Sequence, residues 1–176
     1  TFADVTPSLL IEMSRGCWWG AKSHCTFCGL NGSGMKYRSK AGSRALAELD
    51  RLTAQWNISF VSVVDNILDM TYFDNLLPEL AKRHRKPQLF FEVKANLKRH
   101  HIRTLAASGV KSVQPGIESL SDHVLKLMRK GTTGLRNVQM LKWCREFGIK
   151  PEWNVLHGFP GETAQDYAAF LAIMES

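Results

Sequence analysis

The chain has 176 residues, 44% hydrophobic and 22% charged, which suits one domain with a buried core and excludes a disordered or collagen-like chain. Its 23 Lys and Arg against 16 Asp and Glu give a net charge of +7, compatible with a nucleic acid, an acidic peptide or an anionic cofactor as partner. No apolar run approaches the ~20 residues needed to cross a bilayer, the start TFADVTPSLL lacks the regions of a signal peptide, and four cysteines are too few for a secreted disulfide scaffold, so a cytoplasmic protein is expected.

The run PSLLIEM (7–13) reads as a buried strand, and the cysteine-rich loop follows it. Leu46, Leu49, Leu52 and Trp56 then repeat at helical spacing, and ISFVSVV (58–64) is a β-branched second strand. Leu76, Leu77 and Leu80 mark a second helix, and the basic segment 81–86 reads as its solvated end. A third strand, QLFFEVK (88–94), precedes a helix with Ile102, Leu105 and Ala106 inward and basic residues over 97–103 outward. VKSVQP (110–115) is the fourth strand, and Ser119 or Ser121 caps the next helix around Val124, Leu127 and Met128. After GTTG (131–134) the spacing puts Leu135, Val138, Leu141 and Cys144 on one apolar face, with Cys144 as a small buried hydrophobe. PEWNVLH (151–157) is a fifth strand, and a last helix beginning near Thr163 carries the stripe Tyr167, Phe170, Leu171 and Met174.

Strands alternating with helices predict parallel βαβ units with every strand's C-terminal end on one side. Five strands do not close an eight-stranded barrel, so the expected fold is α/β, a partial, open TIM-like barrel. Residues 1–176 read as a single domain, cut from a longer polypeptide because the chain starts without Met and stops on an apolar helix.

Cys17, Cys25 and Cys28 stand in one loop at the C-terminal end of the first strand, as C-x7-C-x2-C. A structural zinc site wants four ligands, and His24 adjoins Cys25, where neighbouring residues rarely converge on one ion. Three thiolates suit an iron-sulfur cubane that keeps one iron open to an outside ligand. The arrangement, with Phe27 before the last cysteine, resembles the radical S-adenosylmethionine (SAM) superfamily. Its usual motif is C-x3-C-x2-C, and here WWGAKSH fills a longer first gap. The stretch SRGCWWGAKSHCTFCGLNG is similar to the RiPP maturation branch, whose members modify ribosomally made peptides and often carry a cobalamin domain. Trp18 and Trp19 then read as packing that shields the cluster.

The resemblance implies a [4Fe-4S] cluster on Cys17, Cys25 and Cys28, and SAM over the strand ends. Asp65 and Asn66 stand where the superfamily binds the SAM amino group, although the usual glycines are absent. Glu92 and Lys94 share a face and either orient the SAM carboxylate or ribose, or pair with each other at the rim. In GIES (116–119), Glu118 matches the ribose-binding acid, with Ser119 beside it; the alternative for Glu118 is a carboxylate favoured by a helix N-terminus. Leu156 in NVLHGFPGET takes the apolar position against adenine.

The implied activity is generation of a 5'-deoxyadenosyl radical to modify a precursor peptide. With cobalamin in the parent protein this would be C-methylation, and a one-electron donor such as flavodoxin would supply reducing power. A tRNA-modifying methylthiotransferase is the alternative within the superfamily, and a zinc-stabilised nucleic-acid-binding module the alternative outside it. Neither a nucleic acid nor a membrane is the expected partner of the peptide-modifying reading.

Overall fold

The computed structural model describes residues 7–30 and 36–174. Five parallel strands form one sheet: β1 (Leu9–Ile11), β4 (Phe60–Val63), β5 (Gln88–Val93), β6 (Val110–Pro115) and β7 (Lys150–Pro151). They lie side by side in chain order, with Leu9 opposite Val61, Val61 opposite Leu89, Phe91 opposite Val113 and Val113 opposite Pro151. Each crossover therefore returns beside its predecessor, the winding of an open, partial TIM-like barrel. A separate antiparallel pair, β2 (Ser14–Arg15) with β3 (Arg38–Ser39), closes the base of the cysteine loop.

The period of two divides each strand between two faces. Val61, Val63, Leu89, Phe91, Val93, Val110 and Val113 are buried in one core with residues of the helices. Leu49 enters it from α1 (Gly42–Trp56), Leu77 from α2 (Leu76–Ala81), Ile102 from α3 (Arg99–Ala107), and Met140 and Cys144 from α5 (Gly134–Glu146). The expected basic segments do lie outward: Arg83 holds Asp50 in a two-pronged ion pair and Arg99 reaches Glu146.

Several sequence expectations need correction. The first strand is shorter than 7–13, because Met13 turns its N–H to the Asp65 carboxylate instead of a neighbouring strand. The fifth is only Lys150–Pro151; beyond it Val155 makes one further bridge beside Glu118. Trp56 is 60% exposed because α1 ends there, at a left-handed Asn57. In α5, Leu135 is exposed, and Asn137 and Met140 turn inward with Cys144. That helix straddles two cores, leaving Val138 and Leu141 half-buried against the smaller one around Ala95, Ile117 and Leu120. Ser121 caps α4 (Asp122–Leu127), accepting from the Val124 N–H at 3.3 Å, whereas Ser119 accepts from the Ser121 N–H. On α6 (Ala164–Met174), Phe170 packs near Trp153 while Leu171 is exposed. Among the described residues no helix is long and apolar enough to cross a membrane.

Candidate active site

The residues that lengthen the gap between the first two cysteines fold back on themselves. The N–H of Ala21 donates to the Cys17 carbonyl at 3.0 Å, and those of Lys22 and Ser23 to the Trp19 carbonyl. The resulting helical turn returns the chain to Cys25. Thr26 then anchors the loop to the end of α4 through its N–H to Met128 and its hydroxyl to Leu127. Trp18 ties the other side down, donating from Nε1 to the Leu68 carbonyl at 3.0 Å. Trp18 thus has the packing role expected of it.

Cys17, Cys25 and Cys28 line one cavity of about 360 Å³ with Glu92, Lys94 and Glu118. Among the described residues, no three His, Cys, Asp or Glu side chains gather closely enough to grip a single metal ion. Three thiols around one cavity are the donor set of a polynuclear cluster, which spreads its thiolates over different irons. Trp19 forms a wall of the same cavity, and its indole N–H is buried without a partner among the described residues.

Two lysines give the cavity its charge. Lys94 is buried; its Nζ lies 3.8 Å from the centre of the Trp19 ring and donates to the Lys130 carbonyl at 2.5 Å. Lys130 is buried too, with Nζ 3.3 Å from Glu118 Oε1. Gly116 lies beside it, and a Cβ there would come within 2.9 Å of that Nζ. Burial pushes the Cys25 thiol up, and the two ammoniums oppose it. Burial is the larger effect, so the Cys25 thiol stands above its ordinary value with the ammoniums offsetting part of the rise.

Burial, reinforced by Lys130, pushes Lys94 down to about 8 from its ordinary 10.5. Below pH 8 the amine is protonated in both folded and unfolded chains, and between about 8 and 10.5 the unfolded chain alone keeps that proton. Stability therefore gains a rising component with pH across this window. In cluster-free protein, Lys94→Met is expected to flatten the rise, measured as urea midpoints across that range. An equal rise in both proteins would refute the assignment.

The loop after β6 is held from several directions. Asn137 donates to the Ile117 and Ser119 carbonyls, and Leu156 donates its N–H to the Glu118 carbonyl at 2.9 Å. Glu118 sits in the left-handed region at φ 59°, a conformation a non-glycine residue holds only when its surroundings enforce it. Its carboxylate faces Lys130, while Ser121 serves the start of α4.

The residues proposed from the sequence divide into groups. Asn66, Glu92, Lys94, Glu118 and Phe27 join the three cysteines around the cavity. Leu156 lines an adjoining groove with Phe159, and Phe27 is shared by both; the Phe27 and Phe159 rings meet edge-on at 6.4 Å. Two of the residues lie elsewhere: Asp65 is fully buried and accepts from the Met13 N–H and Ser14 hydroxyl at 2.7 and 2.8 Å, and Ser119 bonds within its own turn. Neither lines the cavity. The pairing of Glu92 with Lys94 is absent among the described residues, Lys94 being committed to the Lys130 carbonyl. Burial, with Asp65 and Glu118 adding repulsion, raises the Glu92 carboxyl above its ordinary value.

Lys130 escaped the sequence reading, whereas Trp19 stands beside the thiols as a shielding side chain would. Lys130 follows an amphipathic helix, where a lysine ordinarily faces water, and its partners are 12 and 36 residues away.

The Radical SAM superfamily model matches residues 11–173. An uncharacterized methyltransferase of Pyrococcus horikoshii is 23% identical over 95% of this chain and 36% of its own length. A tRNA-2-methylthio-N(6)-dimethylallyladenosine synthase of Chlorobium phaeobacteroides is 25% identical over 97% and 40%. Among solved structures, the radical SAM methyltransferase TsrM of Kitasatospora setae, with cobalamin and a [4Fe-4S] cluster bound, superposes with a TM-score of 0.80 at 23% identity, over 97% of this chain and 34% of that one. The chain thus spans well under half the length of these relatives, and the structural likeness bears on the fold.

Proposed function

The chain belongs to the radical SAM superfamily, and from that premise we propose that it is the radical-generating core of an enzyme that modifies a ribosomally made peptide, by C-methylation where a cobalamin domain accompanies it. The observation that carries the proposal is the convergence of three thiols, two buried ammoniums and Glu118 on one cavity at the strand ends. Peptide as substrate rests on the SRGCWWGAKSHCTFCGLNG resemblance; methyl transfer is supported by the methyltransferase relatives.

Cys17, Cys25 and Cys28 would hold the [4Fe-4S] cluster. When bound and reduced by one electron, the cluster and SAM supply a 5'-deoxyadenosyl radical that takes hydrogen from an unactivated carbon. Lys94 and Lys130 offset the negative charge of the thiolates and of a SAM carboxylate. Glu118 accepts hydrogen bonds from ribose hydroxyls, Asn66 stands on the amino-group side, and Leu156 with Phe27 offers apolar contact to adenine. Trp19, Ile67 and Val93 give the cavity apolar walls.

Glu118→Gln keeps the shape and removes the charge. We expect SAM binding to weaken by about 1–2 kcal/mol, read by isothermal titration against the cluster-loaded protein, with some loss of melting temperature because buried Lys130 loses its charged partner. A large melting shift at unchanged affinity would assign Glu118 a structural role instead.

The overall reading is tested by anaerobic incubation of the full-length polypeptide with SAM, dithionite and candidate precursor peptides, followed by mass spectrometry. The expected products are 5'-deoxyadenosine and a peptide heavier by one methyl group. The relative from Chlorobium and the +7 charge favour a second reading, tRNA methylthiolation. A modified tRNA and an unchanged peptide in the same assay would replace the first reading with it.

A further inference from the structure

We propose that the concavity beside the cysteine loop, ringed by Lys126, Arg129 and Arg136 and floored by Trp19, is the docking site of an acidic protein that delivers one electron from a reduced flavin. This rests on the radical-generating reading, which requires an outside electron.

The concavity has a volume of about 570 Å³. Among the described residues, Trp19 is the only side chain that lines both it and the thiol cavity. A donor seated there is separated from the thiol cavity by one indole, and an electron crossing by that route avoids the thicker body of the sheet.

The rim is net positive, with three cations against one carboxylate. Arg15, Lys40, Arg83 and Arg99 all have carboxylate partners, but Lys126, Arg129 and Arg136 belong to no ion pair among the described residues. The one acid at the rim, Asp122, is engaged by the Gly134 N–H at 2.7 Å. Arg129 adds an independent sign. It ends α4 in the left-handed region at φ 54°, where glycine is the inexpensive residue, so a long cation is held there against a backbone penalty.

Three unpaired cations around one hollow attract an acidic protein surface and steer its approach. A nucleic acid would be expected to meet a longer basic track along its phosphates. Electron transfer itself makes or breaks no bond: the flavin loses one electron, the thiolate-bound cluster gains it, and this chain moves no proton.

The test uses flavodoxin, an acidic FMN protein, and the cluster-loaded chain. Calorimetry with oxidised flavodoxin measures binding without turnover, and stopped-flow absorbance with the reduced form measures cluster reduction. Lys126→Glu, Arg129→Glu and Arg136→Glu combined should weaken binding roughly 100-fold at low salt and slow reduction at least about 10-fold, both effects shrinking as salt rises. 5'-Deoxyadenosine formation driven by dithionite should be unchanged, which separates docking from damage to the site. Arg129→Gly should weaken binding while raising the melting temperature, an outcome that a folding role for Arg129 would not produce. Wild-type flavodoxin affinity in the triple variant would overturn the proposal, as would loss of tRNA binding with donor binding intact. Failure of the wild-type chain to cleave SAM with dithionite would instead sink the radical-generating reading, a result distinct from the charge dependence of binding.

Discussion

Replacing Cys17, Cys25 or Cys28 with Ala is expected to abolish both the brown colour of the anaerobically reconstituted protein and its cleavage of SAM, whereas Cys144→Ala should retain both. The three loop thiols share a cavity with Lys94 and Lys130, whose charges oppose the burial that raises Cys25. Loss of one leaves an iron of a cubane without a protein ligand, and no fourth thiol is positioned to replace it. Cys144 is fully buried in the main core, and burial pushes its thiol up to about 11, so it stays protonated and poor as a ligand. Its replacement by Ala removes only packing, at a cost of about 1 kcal/mol. Iron and sulfide analysis together with visible absorption checks the series. Cluster loss in Cys144→Ala with the fold intact, judged by circular dichroism, would overturn the ligand assignment.

Gly134→Ala should strongly destabilise the fold through a single methyl group. Gly134 opens α5, and a Cβ there would stand 2.1 Å from the Leu120 carbonyl oxygen, a backbone atom that cannot rotate away. Helix propensity alone favours Ala over Gly by about 1 kcal/mol, so the sign depends on the close approach. Overpacking of this kind destabilises by about 3 kcal/mol. The damage would also reach the cavity, because Asn137 on the same helix holds the Ile117 and Ser119 carbonyls on either side of Glu118. A urea midpoint measures the first effect and SAM titration at a temperature where the variant is folded measures the second. Stability equal to or above wild type would show that α5 can slide away from Leu120 freely.

Helical residues shared between two cores explain why the inward face of α5 was misread. Leu135, Val138, Leu141 and Cys144 have the right spacing, but the contact at Gly134 turns the helix so that Leu135 faces water and Asn137, a polar residue, is wholly buried. Asn137 belongs inside because it meets two carbonyls that the loop after β6 leaves without strand partners. Nothing local announces such a need. The β2–β3 pair was equally hidden, since two residues on each side of a 22-residue excursion carry no alternating pattern. The three cysteines and Glu118 were legible because each motif lies within a few consecutive residues at the end of a strand.

The alternation of strand and helix, the parallel sheet with its loops gathered at one end, and the placing of three thiols in the first of those loops all follow from local periodicity and chain connectivity. Which polar side chains enter the cavity depends instead on contacts between residues far apart in the chain. Asp65 and Asn66 are adjacent, and both qualify by position at the end of β4. The Met13 N–H and the Ser14 hydroxyl, more than fifty residues earlier, draw the Asp65 carboxylate into the fold, and Asn66 remains at the cavity wall. Lys130 enters for the complementary reason: the Glu118 carboxylate allows an ammonium to be buried there with a partner, which a solitary charge could not be.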